Sequence, residues 1–214
     1  WIFIANEGNM GDYDGSISMI AEDGTILQTE YLGDVVQSIE VYEDKLIVLV
    51  NGGQNLSEDD SKIKIFNIDN TGLRMPGIEI TTSNSGPREM AIVNDKVYFT
   101  NSISQDIKIF DLFTYTLEET SIPIENGVPE DIIYDGTNIV VSVPYLTYND
   151  RYLGSKVVKI DISNNTIIET IEVGLGPEKL AIHNQEIYIA RKTYAEGYTA
   201  TYYGTTKIGA EVIQ

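Results

Sequence analysis

The sequence predicts an all-β fold, a β-propeller of four-stranded antiparallel blades, on three observations. An anchored segment recurs along the chain, each copy carries a tight-turn signal at the same place, and β-branched and aromatic residues dominate the stretches between turns. The clearest copies are Pro87-Arg-Glu-Met-Ala-Ile-Val-Asn-Asp-Lys-Val-Tyr-Phe-Thr-Asn101 and Pro177-Glu-Lys-Leu-Ala-Ile-His-Asn-Gln-Glu-Ile-Tyr-Ile-Ala-Arg191. Pro129 to Ser142 is a third copy, Val36 to Leu49 a weaker fourth, and Ile2 to Asn6 matches the tail of the pattern. Ten places after each anchor stands an apolar residue, Leu46, Val97, Ile139 or Ile187. Anchors at 36, 87, 129 and 177 lie 51, 42 and 48 residues apart, in or near blade length. A β-sandwich of short strands would not explain a periodic anchor.

Each unit reads as four strands in order. The first two form a hairpin whose turns fall at Glu43-Asp44, Asn94-Asp95, Asp135-Gly136 and Asn184-Gln185, residues that tolerate the positive φ of short hairpins. The third strand alternates polar and apolar residues in Ile63–Phe66, Ile107–Phe110 and Val157–Ile160. It reaches Asn67, Asp111 or Asp161, whose short side chains are expected to bond back onto the following turn. The fourth strand is expected over Ile78–Thr82, Leu117–Ile124 and Ile167–Val173.

The whole chain is read as one propeller domain of just under five blades. A partial blade spans 1–35 and lacks strand one; complete blades span 36–86, 87–128 and 129–176. A partial blade spans 177–214, with a third strand expected from Thr205 to Ile213 and no clear fourth. An open propeller exposes strand edges, so the natural protein is expected to be longer. A five-bladed ring closed by pairing the termini is the alternative.

Composition narrows the partners. With 33 acidic against 14 basic residues the net charge is −19, which repels phosphate backbones and argues against nucleic acid. No stretch is long and apolar enough to span a bilayer as a helix. With no cysteine, disulfides and thiolate metal sites within the chain are excluded, and the compartment stays open. No signal peptide opens the chain, so export would require a targeting segment upstream or already removed.

In a propeller the loops joining strands two and three share a face with the anchors. Here those loops are Glu7–Gly15, Asn51–Ser61, Ser102–Gln105, Pro144–Ser155 and Lys192 to about Thr205, and only the third is short. Eight of the fourteen tyrosines lie in them: Tyr13, Tyr145, Tyr148, Tyr152, Tyr194, Tyr198, Tyr202 and Tyr203. Tyrosine presents a broad apolar face and one hydroxyl at low conformational cost, which suits a flat or amphipathic ligand. The candidate ligand-binding residues are Asn6, Glu7, Tyr13, Arg88, Tyr145, Tyr148, Arg151, Tyr152, Lys179, Arg191, Tyr194 and Tyr198. The competing expectation is that these loops pack on one another or on further blades. Asp12-Tyr-Asp14-Gly-Ser and Ser57-Glu-Asp-Asp-Ser61 offer oxygen ligands of the kind calcium takes, but neither has a calcium-loop spacing. No cofactor or metal site is therefore assigned, with calcium as the alternative.

Catalysis has little to build on in this stretch. The only histidine, His183, is expected at a hairpin turn on the opposite face, and without a cysteine or second histidine the familiar nucleophilic triads are not assembled. Glu89, Glu130 or Glu178 with Arg88 or Arg191 would permit carboxylate chemistry, but these acids recur at repeat-equivalent positions, as blade architecture does.

The order Gly-Pro, apolar pair, turn, Val97-Tyr-Phe-Thr-Asn101, Ile107-Lys-Ile-Phe-Asp111 and Glu118-Glu-Thr120 resembles the YVTN (YncE-like) propeller repeat over nearly the whole chain. That resemblance implies a ring of seven blades. Ala5-Asn-Glu-Gly-Asn-Met-Gly11 with Gly15-Ser-Ile-Ser18 is similar to the opening of secreted Bacteroidota propellers, with Met10 where an aromatic residue is usual. Some members of that group are surface lipoproteins that capture cobalamin for a TonB-dependent outer-membrane transporter. The resemblance implies a non-enzymatic, extracytoplasmic binding propeller at the outer-membrane surface or in the periplasm of a Gram-negative bacterium. A small-molecule nutrient or a transporter protein is the implied partner. A propeller enzyme of lactonase or lyase type and a structural or adhesive surface propeller are the alternatives.

Overall fold

A computed structural model describes residues 1–52, 61–82, 84–147, 153–194 and 200–208. The described residues are strands and turns, all strand pairings are antiparallel, and no helix is long and apolar enough to cross a membrane. Two compact units divide the chain, Trp1–Arg88 and Glu89–Gln214.

The first unit holds two sheets. One contains β1 (Ile2–Asn6), β2 (Ser16–Ile20) and β3 (Ile26–Gln28) in that spatial order. The other contains β4 (Val35–Tyr42), β5 (Lys45–Asn51) and β6 (Lys62–Asp69), with β7 (Gly72–Leu73) and β8 (Ile78–Thr81) both paired to β6. Alternation along the strands sends Ile17 and Met19 of the first sheet onto Leu46, Val48 and Val50 of the second, with Phe3 and Ala5 beside them. β5 is apolar without a break from Leu46 to Val50 because it is buried on both faces, unlike a strand with one wet face.

The second unit begins within β9 (Pro87–Val93) and continues through β10 (Lys96–Asn101) and β11 (Asp106–Asp111). Two short pieces, β12 (Thr116–Leu117) and β13 (Ile122–Pro123), pair with opposite ends of β11. A second sheet orders β14 (Ile132–Tyr134), β15 (Asn138–Val143), β16 (Lys156–Asp161) and β17 (Thr166–Glu172). A third orders β18 (Pro177–His183), β19 (Glu186–Tyr194) and β20 (Ala200–Lys207). The period of two on β15 divides its side chains between neighbours. Ile139, Val141 and Val143 pack with Tyr98, Ile107 and Ile109 of the sheet before, whereas Val140 packs with Leu180, Ile187 and Ile189 of the sheet after. Each such apolar side chain taken out of water contributes about 1.5–3 kcal/mol, so the sheet-to-sheet seams carry the core.

The turns form as their residues require. Glu43, Asn94, Asp95, Asn184 and Gln185 have φ between 50 and 64°, and Gly136 has φ 97°. Asp111 Oδ1 accepts the N–H groups of Phe113 and Thr114 at 2.8 Å, and Asp161 Oδ1 accepts that of Ser163 at 2.8 Å.

Three expectations are corrected. The equivalent turn bond in the second sheet comes from Asp69, whose Oδ1 accepts Thr71 N–H at 2.7 Å, because β6 runs two residues past Asn67 to pair Ile68 with Leu73. The outer strand expected over Leu117–Ile124 is broken into β12 and β13, where Glu118 bonds the Lys96 ammonium and Pro123 has no N–H to donate. The last sheet's third strand is Ala200–Lys207 rather than Thr205–Ile213. Its Thr-Tyr-Tyr run pairs with a β19 that continues to Tyr194, so the long loop expected from Lys192 to Thr205 is largely ladder.

Candidate functional site

The N-terminal loop of the first unit is closed by its own polar groups. Asn6 Nδ2 donates to Ser16 Oγ at 3.1 Å and Ser18 Oγ at 2.9 Å, tying β1 to β2. The Glu7 carbonyl accepts Val36 N–H at 2.9 Å and so joins the first sheet to the start of β4. Asn9 donates to both oxygens of Asp14, from its backbone at 2.6 Å and its amide at 3.0 Å, and the backbone bond lowers the Asp14 carboxyl below its usual range. Gly11 N–H donates at 2.5 Å, and Tyr13 N–H at 3.5 Å, to Oδ1 of the buried Asp34. Gly8, at φ 86°, lies against Gly15 N and Asp14 Oδ1, where a Cβ would not fit. The Asn-Glu-Gly-Asn opening thus folds the loop onto β4, and Tyr13 stands on it exposed, at φ 57°. In the same unit Arg88 Nη1 donates to Gln37 Oε1 at 2.7 Å.

In the second unit the entry ends of β9, β14 and β18 bring one charged residue each to a single point. Glu89, Asp131 and Lys179 all stand two places after an anchor proline, so the repeat sets them at the same height in successive sheets. The Lys179 ammonium bonds Glu89 Oε1 and lies 3.9 Å from Asp131 Oδ1. Asp131 Oδ2 accepts Leu180 N–H at 2.7 Å and its Oδ1 accepts Ile132 N–H at 3.0 Å. Burial raises the Asp131 carboxyl above its ordinary range despite those bonds. Burial also works against the charge on Lys179, but the Glu89 bond and the nearby carboxylates outweigh it and hold the ammonium above its ordinary range. The Lys179 side chain is 52% exposed, so water reaches this centre.

Hydroxyls below the charged cluster link the same sheets. Thr100 Oγ1 accepts Glu89 N–H at 3.0 Å and donates to the Glu130 carbonyl at 2.7 Å. One sheet on, Ser142 Oγ accepts Asp131 N–H at 3.0 Å and donates to the Glu178 carbonyl at 3.0 Å. Arg191 Nε donates to the Leu175 carbonyl at 3.1 Å, its guanidinium crossing Gly174 where a Cβ would collide. Lys192 Nζ lies 3.5 Å from Glu178 Oε1.

The structure therefore places Lys179, Arg191 and the backbone of Tyr145, whose carbonyl accepts Val128 N–H at 3.0 Å, at the entry ends of the second unit. Asn6, Glu7, Tyr13 and Arg88 lie in the first unit. Tyr194 is on β19 in register with Ala200, and Tyr202 and Tyr203 are on β20 rather than in a loop. Tyr148, Arg151, Tyr152 and Tyr198 lie outside the described residues, as does most of Ser57–Ser61. His183 is exposed at the far end of β18, bonded to the Asn184 amide at 3.1 Å. Sequence reasoning missed Asp131, Thr100 and Ser142; the repeat offset of two from each proline would have found Asp131. Among the described residues no group of three or more His, Cys, Asp or Glu is placed to hold a metal ion.

No family model matches the chain, and no curated protein matches it. Solved structures do. Hydrazine synthase of Kuenenia stuttgartiensis is similar with a TM-score of 0.68 at 15% identity, over 90% of this chain and 56% of that one. A putative 6-phosphogluconolactonase from Bacteroides uniformis is similar with a TM-score of 0.66 at 14% identity, over 95% of this chain and 67% of that one. The WD40 β-propeller domain of Doa1 is similar with a TM-score of 0.57 at 12% identity, over 84% of this chain and 58% of that one. This chain thus spans between just over half and about two thirds of the length of these three chains. At these identities the likeness establishes the β-propeller fold.

Proposed function

We propose that this chain is a non-enzymatic, extracytoplasmic binding propeller of the YVTN type. Its proposed ligand is a scarce nutrient such as a corrinoid, passed on to a TonB-dependent outer-membrane transporter. The observation that carries the reading is the meeting of Glu89, Asp131 and Lys179 from three successive sheets at a water-accessible centre. A corrinoid presents a flat ring rimmed with amides, whose carbonyls the half-exposed Lys179 ammonium can meet. Binding is favoured over turnover because the carboxylates are already engaged. Both Asp131 oxygens accept backbone N–H groups, and Glu89 holds Lys179, whereas a general base needs an oxygen aimed at substrate. His183 lies at the opposite end of β18 from Lys179, four residues or about 13 Å along the strand, so the two do not share a site.

Calorimetric titration of the protein with cyanocobalamin tests this. Saturable binding is expected, with Lys179→Met weakening it at least about tenfold, or 1.4 kcal/mol. An absence of binding at micromolar protein rejects the corrinoid ligand. Turnover on a panel of lactones would instead favour the lactonase reading that the Bacteroides neighbour's description raises.

A further inference from the structure

The second unit also contains a cleft of about 550 Å3 at the outer strands, between the sheet of β9–β13 and the sheet of β14–β17. It is set across the strands from the charged centre, since the lining Ile122 pairs with Ile107, which pairs with Thr100. That volume is in the range of small-molecule sites, roughly 300–1,000 Å3. Two irregularities face each other across it. On one wall the outermost strand is broken, and the chain from Ser121 to Asn126 lines the opening. On the other wall β17 carries a bulge, since Lys159 pairs with Glu169 but Ile160 pairs with Ile167 and leaves Ile168 over. A bulge bends its strand and re-aims the side chains beside it, here Thr166, Ile167 and Thr170, which line the cleft. A regular strand on both walls would close the gap that these two departures leave.

The lining chemistry is specific. Ile122, Ile124 and Val158 are nearly fully buried and give an apolar floor. The rim supplies uncharged hydroxyls and amides from Ser121, Asn126, Thr166 and Thr170. Asn165 is fixed by the buried Tyr98, whose hydroxyl donates to Asn165 Oδ1 at 2.9 Å, and this leaves the amide N–H groups as its hydrogen-bonding capacity. The lining's two charged residues, Glu125 and Lys156, are of opposite sign, and Lys156 Nζ already donates to the Glu125 carbonyl at 2.6 Å. We propose that this cleft binds a neutral, polyhydroxylated small molecule of mono- or disaccharide size, its hydroxyls meeting the rim and its C–H face the floor. The proposal is independent of the charged centre and of any ligand bound there.

Amide-resolved NMR titration with maltose, cellobiose and glucose, against glucose 6-phosphate and gluconate, tests it. At least one neutral sugar is expected to shift the amides of Thr166, Ile167 and Thr170 saturably at millimolar concentration. Thr170→Trp and Ser121→Trp fill the cleft from opposite walls at exposed positions, and each should weaken that binding at least tenfold while leaving the melting temperature near wild type. The proposal is overturned if no neutral sugar moves those amides, if only the charged sugars do, or if binding persists undiminished in both folded variants.

Discussion

The Thr100 hydroxyl gives the most direct handle on how successive blades are joined. It is fully buried and makes two bonds at once, accepting Glu89 N–H at 3.0 Å and donating to the Glu130 carbonyl of the next sheet at 2.7 Å. Thr100→Val keeps the shape and removes both. Each bond lost from a buried backbone group costs about 1–3 kcal/mol, so the substitution, which loses two, is expected to destabilise by about 2–6 kcal/mol. For a chain of this size that corresponds to a melting temperature lower by roughly 4–24 °C. Thr100→Ser retains the hydroxyl and removes one methyl, and should cost only about 1 kcal/mol. Thermal melting by circular dichroism separates the two variants, and hydrogen exchange at the Glu89 amide should accelerate in the valine variant alone. A valine variant that melts within about 1 °C of wild type would show that the hydroxyl relay does not hold these sheets together.

Three further outcomes follow. A carboxyl raised in the folded state, as Asp131 is, holds a proton that the unfolded chain has released. Its contribution is therefore present below the unfolded value near 3.8 and is lost as pH rises through the raised one. The stability difference between wild type and Asp131→Asn should accordingly fall as pH rises from 3.8, measured by urea unfolding across acid pH; a difference that grows would refute the assignment. The turn aspartates Asp69 and Asp111 act in the opposite sense, since the side-chain and backbone bonds of Thr71 to Asp69 and the backbone bond of Thr114 to Asp111 lower their carboxyls, so their contribution is lost as pH falls. Gly176→Ala places a Cβ onto the Lys192 carbonyl at a φ of 71°, and should cost at least about 2 kcal/mol by combining left-handed strain with a backbone collision. An unchanged urea midpoint would contradict it.

The hairpins and third strands were legible because their signals are local. Asn94-Asp95 and Asn184-Gln185 sit where the backbone needs positive φ at two consecutive residues, and few other pairs accept it. Asp111 and Asp161 bond to N–H groups two residues ahead, which spacing alone anticipates. The broken outer strand was not legible, since Glu118 N–H still meets the Ile109 carbonyl at 2.9 Å and no local signal marks the lapse between it and Ile122. Lys179 was identified from its charge beside an anchor, but its partner Glu89 lies 90 residues earlier and no local pattern names it. Asn6 and Glu7 stand among the ligand-binding candidates of the loop face, and the structure uses the Asn6 amide and the Glu7 carbonyl to fasten the first sheet. Repeat-equivalent positions carry this non-local information, because equal offsets become neighbours when blades stack.

The binding account is tested most directly by mapping which ends of the strands respond to a ligand. Amide NMR shifts on addition of cyanocobalamin are predicted to concentrate at Glu89, Asp131 and Lys179, with the hairpins at Asn94-Asp95, Asp135-Gly136 and Asn184-Gln185 unmoved. Shifts confined to those hairpins, or none at saturating ligand, would contradict it.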